Sequence, residues 1–172
     1  MTPEHGASDH SEALESLAQV LEELGYPSQR LDVHPELPLP TLLVAAPGDE
    51  DDDEPVLFNF MFMPIEGTGL EHIDLLQVYF SLLEGVSDER RDDIALVVAE
   101  LNAQLPLGQL GFQDGEVSLR HMMLLERHQV PSEGLVKEML AFLLPLRHLL
   151  AEAVSAVASG ESTVEAALAS LP

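Results

Sequence analysis

The stretch that decides the fold is residues 101–126, LNAQLPLGQLGFQDGEVSLRHMMLLE. It reads as the end of a helix delivering a β-hairpin. Leu110 and Phe112 alternate into Asp114-Gly115, and Val117, Leu119, His121, Met123 and Leu125 alternate out of it, the period expected of a half-buried strand. Asp-Gly suits a tight hairpin because glycine tolerates positive φ.

Immediately upstream, Ile94, Val97, Val98, Leu101 and Leu105 make the buried stripe of a helix over about 88–104. Ser87 is its expected N-cap, Asp88, Glu89, Asp92 and Asp93 suit its N-terminal turns, and Pro106 ends it. Farther upstream, 41–46 and 55–63 read as strands. In the second of these Val56, Phe58, Phe60 and Phe62 share one face, while Leu57, Asn59, Met61 and Met63 share the other. Residues 26–40 carry Pro27, Pro35, Pro38 and Pro40, which predicts an extended connection with at most a short edge strand near Leu31 and Val33. The first helix shows the apolar stripe Leu14, Leu17, Ala18, Leu21 and Leu24. Asp9 with Glu12 gives a capping box at its start, Gly25 its stop, and 1–8 a frayed arm.

Downstream, Ser132 caps a long helix in which Leu135, Val136, Met139, Leu143, Leu146, Leu150 and Val154 recur at helical spacing. Pro145 lies inside it, which predicts a kink or break near Ala141 to Leu144. Ser159-Gly160 closes the helix, and Ser162 with Glu165 boxes a short terminal one within 159–172.

Asn102, Leu107, Gly108, Phe112, Asp114, Gly115, Val117, Leu119 and Arg120 resemble the corresponding positions of the YbjN-like family, whose fold is that of type III secretion chaperones. The resemblance is carried by about a sixth of the chain and extends as an order of elements. Residues 71–83 fit a strand, with Leu76, Val78, Phe80 and Leu82 on one side, and equally a helix through Leu70, Ile73, Leu76 and Phe80. Their β-branched and aromatic content, with the family order, favours strand. The expected fold is therefore α+β, one domain over 9–158 in the order αβββαββα with an antiparallel sheet, plus a short C-terminal helix. The resemblance implies a chaperone or regulatory adaptor role.

A chain of 172 residues suits one domain. It has no cysteine, which excludes thiolate zinc sites, disulfide scaffolds and cysteine nucleophiles. The opening MTPEHGASDH has no signal-peptide pattern, and no uncharged apolar run of about 18 residues follows, so a cytoplasmic protein with no membrane partner is the expectation. Seven Lys and Arg stand against 31 Asp and Glu, a formal net charge of −24. That field repels phosphate backbones, which disfavours direct nucleic-acid binding, and attracts basic proteins, nucleic-acid-binding proteins among them. Solubility alone also accounts for such a charge.

The acidic run Asp49, Glu50, Asp51, Asp52, Asp53, Glu54 resembles a calcium loop only in its alternation. An EF-hand beginning at Asp49 needs glycine where Glu54 stands and glutamate where Phe60 stands. It reads instead as a solvated loop or a docking site for basic segments. Gly67 and Gly69 begin a G-x-G that His72 breaks, and Gly85-Val86-Ser87 begins a nucleophile elbow that Glu89 breaks. The histidines form no i, i+4 pair, and His121 reads as a core or interface imidazole. Catalytic, cofactor and metal residues are accordingly none. An acidic-loop metal binder or a small enzyme is the competing reading.

What remains is surface. If the strand phases hold, the second sheet face gathers Leu57, Met61, Met63, Leu75, Tyr79, Met122 and Leu124, punctuated by Asn59, Gln77, Arg120 and Glu126. That face is covered by the second helix, by a second copy in a homodimer, or by a client protein. Arg120 pairs with a cross-strand acid or anchors a partner carboxylate.

Overall fold

Asp114 (φ 52°) and Gly115 (φ 81°) both lie in the left-handed region, as the central pair of a type I′ turn must. They join β5 (Gln109–Gln113) to β6 (Glu116–Glu126) in the register Gln113↔Glu116 through Gln109↔Arg120. The computed structural model describes residues 5–33, 37–48, 55–65 and 69–171, with side chains from His10 onward.

The described elements are α1 (His5–Glu23), β1 (Ser28–Leu31), β2 (Thr41–Ala46), β3 (Val56–Met63), β4 (Ile73–Leu83), α2 (Arg91–Gln104), β5, β6, α3 (Glu133–Ser159) and α4 (Val164–Ala169). The fold is α+β. One antiparallel six-stranded sheet has the order β1-β2-β3-β4-β6-β5. Four strands, not three, precede α2, because Ser28–Leu31 pairs with Thr41–Val44 despite the prolines around it. Residues 71–83 resolve as strand: Leu76, Val78, Phe80 and Leu82 are buried in alternation.

Segments 1–78 and 122–139 form one compact unit, and 79–121 with 140–172 form a second; β4, β6 and α3 contribute to both. In the first, Leu14, Leu17 and Leu21 of α1 are buried, and the helix packs on β1, β2 and β3. Phe58, Phe60 and Phe62 are buried there too, and His10 stacks on Phe62 with ring centroids 4.7 Å apart. Burying three such aromatics contributes about 2–3 kcal/mol each before entropy is counted. In the second unit α2 buries Ile94, Val97, Val98 and Leu101 and packs on β5 and α4.

Helix ends depart from expectation in three places. α1 begins at His5, so Asp9 lies within it instead of capping it. Ser87 makes no side-chain cap; a 3-10 turn, Asp88–Arg90, precedes α2, and Arg90 N–H donates to the Ser87 carbonyl. At α4 the cap is Thr163, whose hydroxyl oxygen accepts from Ala166 N–H at 3.2 Å, one residue beyond the expected Ser162. Gly25 (φ 86°) does stop α1, with Tyr26 N–H donating to the Leu21 carbonyl at 2.8 Å, the six-to-one bond of a Schellman ending.

α3 is not broken at Pro145: it runs through that residue for 27 residues. Pro145 and Ala141 are both exposed, so the carbonyl that loses its helical partner is on the solvent side, while buried Leu140, Leu143, Leu150 and Val154 hold both halves in place. By length and composition α3, Arg147 included, is also long and apolar enough to cross a membrane, and 33% of its most apolar window is buried inside the protein.

Candidate protein-binding face

The alternation that buries Phe58, Phe60 and Phe62 under α1 turns Leu57, Asn59, Met61 and Met63 the other way. Registers extend that face across β2 and β1. Met61 stands beside Thr41 and Leu31, Asn59 beside Leu43 and Gln29, and Leu57 beside Ala45. On β4, Gln77 Nε2 donates to Met61 Sδ at 3.6 Å, which fixes Gln77 on this face. On β6, Met123 and Leu125 are buried while Met122 and Leu124 point outward.

The face is open. Leu57 is 48% exposed, Met122 40% and Leu124 69%, and Met61, Met63 and Leu75 are half-buried. Within the second unit α2 spends its apolar stripe on β5 and α4. Gln29, Leu31, Leu43, Asn59 and Leu57 bear no charge, on a chain of net charge −24. An ordinary protein surface carries about one charged residue in three or four.

Five of the seven residues expected at the interface, Leu57, Met61, Met63, Met122 and Leu124, thus belong to the 1–78/122–139 unit. Tyr79 and Arg120 belong to the other. There the Tyr79 hydroxyl donates to the Glu116 carboxylate. Burial first, and that bond second, hold the Tyr79 phenol above its ordinary range. On β5 the cross-strand neighbour of Arg120 is Gln109, and among the described residues no carboxylate lies within ion-pair distance of its guanidinium. Arg120 instead lies along β5, its Nη2 3.1 Å from where a Cβ on Gly111 would stand.

Leu43, Ala45 and Gln29 are members of the face that sequence reasoning missed. TLLVAA at 41–46 is apolar on both sides, so its phase is invisible until the pairing with β3 is known. The acidic run Asp49–Glu54 lies outside the described residues.

Other polar side chains are held by bonds within the first unit and by burial. Asp74 is 4% exposed; its Oδ2 accepts from His128 N–H at 2.9 Å and its Oδ1 lies 3.4 Å from His10 Nε2. His121 is half-buried, and desolvation lowers its pKa below the ordinary 6.5. Among the described residues no three His, Cys, Asp or Glu side chains are grouped to hold a metal ion. Compared with known proteins, the chain matches no family model, no curated protein and no solved structure.

Proposed function

We propose that this chain is a non-enzymatic protein-binding chaperone or regulatory adaptor, homodimeric and cytoplasmic, that engages a basic client through its open sheet face. The observation that carries the reading is the set of exposed Leu57, Met122 and Leu124 with half-buried Met61 and Met63 on one sheet face, uncharged across β1 to β3 and bordered on β6 by exposed Glu126. Methionine adapts to varied apolar shapes, which suits a surface that accepts more than one segment. The acids of the rest of the chain, including the Asp49–Glu54 run between β2 and β3, steer basic partners and speed encounter. The type III secretion chaperone fold and the YbjN-like affiliation belong to the same proposal; they rest on the hairpin residues and on the order of elements other than the extra strand β1.

The test is capture from nuclease-treated lysate on immobilised chain, eluted by a salt step, with Met122→Glu alongside wild type. Retention of one or two basic proteins by wild type and their loss in a folded Met122→Glu is the expected result. Equal capture by both overturns the site.

A further inference from the structure

We infer that, when no client is bound, the open face of the 1–78/122–139 unit is covered by the same face of a second copy of this chain. The inference rests on the reading that this face binds protein, and it names the resting occupant. Charge comes first. Two copies each carrying −24 repel over nearly any orientation. The rows from Gln29 and Leu31 of β1 to Leu57, Asn59 and Met61 of β3 hold no carboxylate, so contact through them brings no like charges together within those rows.

The polar groups in those rows point the same way. Gln29 and Asn59 flank Leu43 in one cross-strand row, and both are carboxamides. A carboxamide donates and accepts, so it pairs with another carboxamide; a carboxylate does not pair with a carboxylate, nor an ammonium with an ammonium. In a two-fold contact residue i meets j and j meets i, so about an axis near Leu43 the Gln29 amide of one copy faces the Asn59 amide of the other, and two carboxamides satisfy each other. A basic client would find no anion within these rows. Sheet faces pack at about 10 Å with strands nearly aligned, a spacing that leucine and methionine side chains fill.

The second copy and the client then compete for one surface and respond oppositely to salt. Screening relieves repulsion between like copies, so dimerisation tightens with salt, while steering of a basic client weakens. The experiment is sedimentation equilibrium of the full chain over roughly 1–100 µM, at about 50 mM and about 500 mM NaCl, between which the Debye length falls from roughly 14 Å to roughly 4 Å. A monomer–dimer equilibrium whose Kd drops several-fold at the higher salt is expected. Leu57→Glu and, separately, Leu124→Glu, each with an unchanged circular dichroism spectrum, should raise that Kd by about tenfold or more, because a buried carboxylate replaces an apolar contact in both copies. Both positions are well exposed, so if one variant fails to fold the other decides.

A wild type that stays monomeric throughout, or a dimer that neither substitution weakens, overturns the second-copy assignment. A monomeric wild type that still captures protein in a Met122-dependent way removes the second copy and leaves the client reading standing. A dimer abolished by Leu57→Glu with capture unchanged supports the second copy and removes the client from this face.

Discussion

Asn102 clamps the backbone of Leu110 at both ends: its Oδ1 accepts from Leu110 N–H at 2.7 Å, and its Nδ2 donates to the Leu110 carbonyl at 3.0 Å. The hairpin register explains why those groups need a partner. Leu110 faces Leu119 one step beyond the hydrogen-bonded pair Gly111 and Ser118, in a non-hydrogen-bonded row, so its N–H and C=O point away from β6. β5 is the sheet edge. The amide of Asn102 therefore stands where another strand would.

Asn102→Ala should cost about 1–3 kcal/mol in urea unfolding, the range for a buried or half-buried amide pair lost from one side. Asn102→Asp should cost nearly as much. It keeps the acceptor for Leu110 N–H and sets a carboxylate against the Leu110 carbonyl. The alanine variant should also self-associate more readily, because the edge is uncapped. A midpoint unchanged in both variants would show that water replaces the clamp without loss.

The sequence made some of this legible and hid the rest, for identifiable reasons. The hairpin was readable because Asp114-Gly115 demands positive φ and Val117 to Leu125 alternate cleanly, two independent signals at one place. β4 was ambiguous because Leu76 and Phe80 satisfy both periods, and only burial against the core distinguishes them. β1 was under-read because the prolines around it signal a loop, while its pairing to β2 is a long-range fact. On the candidate face, Leu57, Met61 and Met63 were readable since the phenylalanines fix the phase of β3. Leu43 and Ala45 were not, since nothing within β2 distinguishes its two sides. Caps were the least legible: Ser162-Thr163 offers two adjacent hydroxyls, and only backbone geometry selects Thr163.

The second prediction concerns Asp74, which joins α1, β4 and the turn after β6. Asp74→Ala removes the acceptor of the His128 amide and the neighbour of His10 together, and should cost about 1–3 kcal/mol. Two substitutions at His10 separate its roles. His10→Phe keeps an aromatic ring on Phe62 and loses the contact to Asp74, whereas His10→Ala loses both. The alanine variant should be the less stable by about 0.5–1.5 kcal/mol, the contribution of a stacked ring pair. Equal unfolding midpoints for the two would show that the stack contributes nothing.

Pro145→Ala should stabilise the protein. The new N–H reaches the Ala141 carbonyl one turn back, and position 145 is exposed, so no core packing is lost. The expected gain is about 1–3 kcal/mol, read from thermal or urea unfolding. A loss instead would mean that the buried leucines on either side are fitted to a helix bent by the proline.

The last prediction is a pH dependence of opposite sign at two positions. His121 has its pKa lowered by desolvation, so between the unfolded value near 6.5 and the lower folded value the unfolded chain binds more protons. The stability this gives is complete above about pH 6.5 and is lost as pH falls through the folded value. Tyr79 is shifted upward, by burial first and by its bond to Glu116 second. Its contribution is complete below about pH 10 and is lost as pH rises through the folded value, because the unfolded phenol gives up its proton first. Urea midpoints of wild type, His121→Gln and Tyr79→Phe across both windows isolate the two effects from the other titrating groups. The gap between wild type and His121→Gln should shift against wild type on acidification below pH 6.5, and that between wild type and Tyr79→Phe should shift against wild type above pH 10. Parallel curves in the acidic window would mean that the His121 imidazolium reaches water in the folded state, because a side chain that is solvated equally in both states has no linkage to pH.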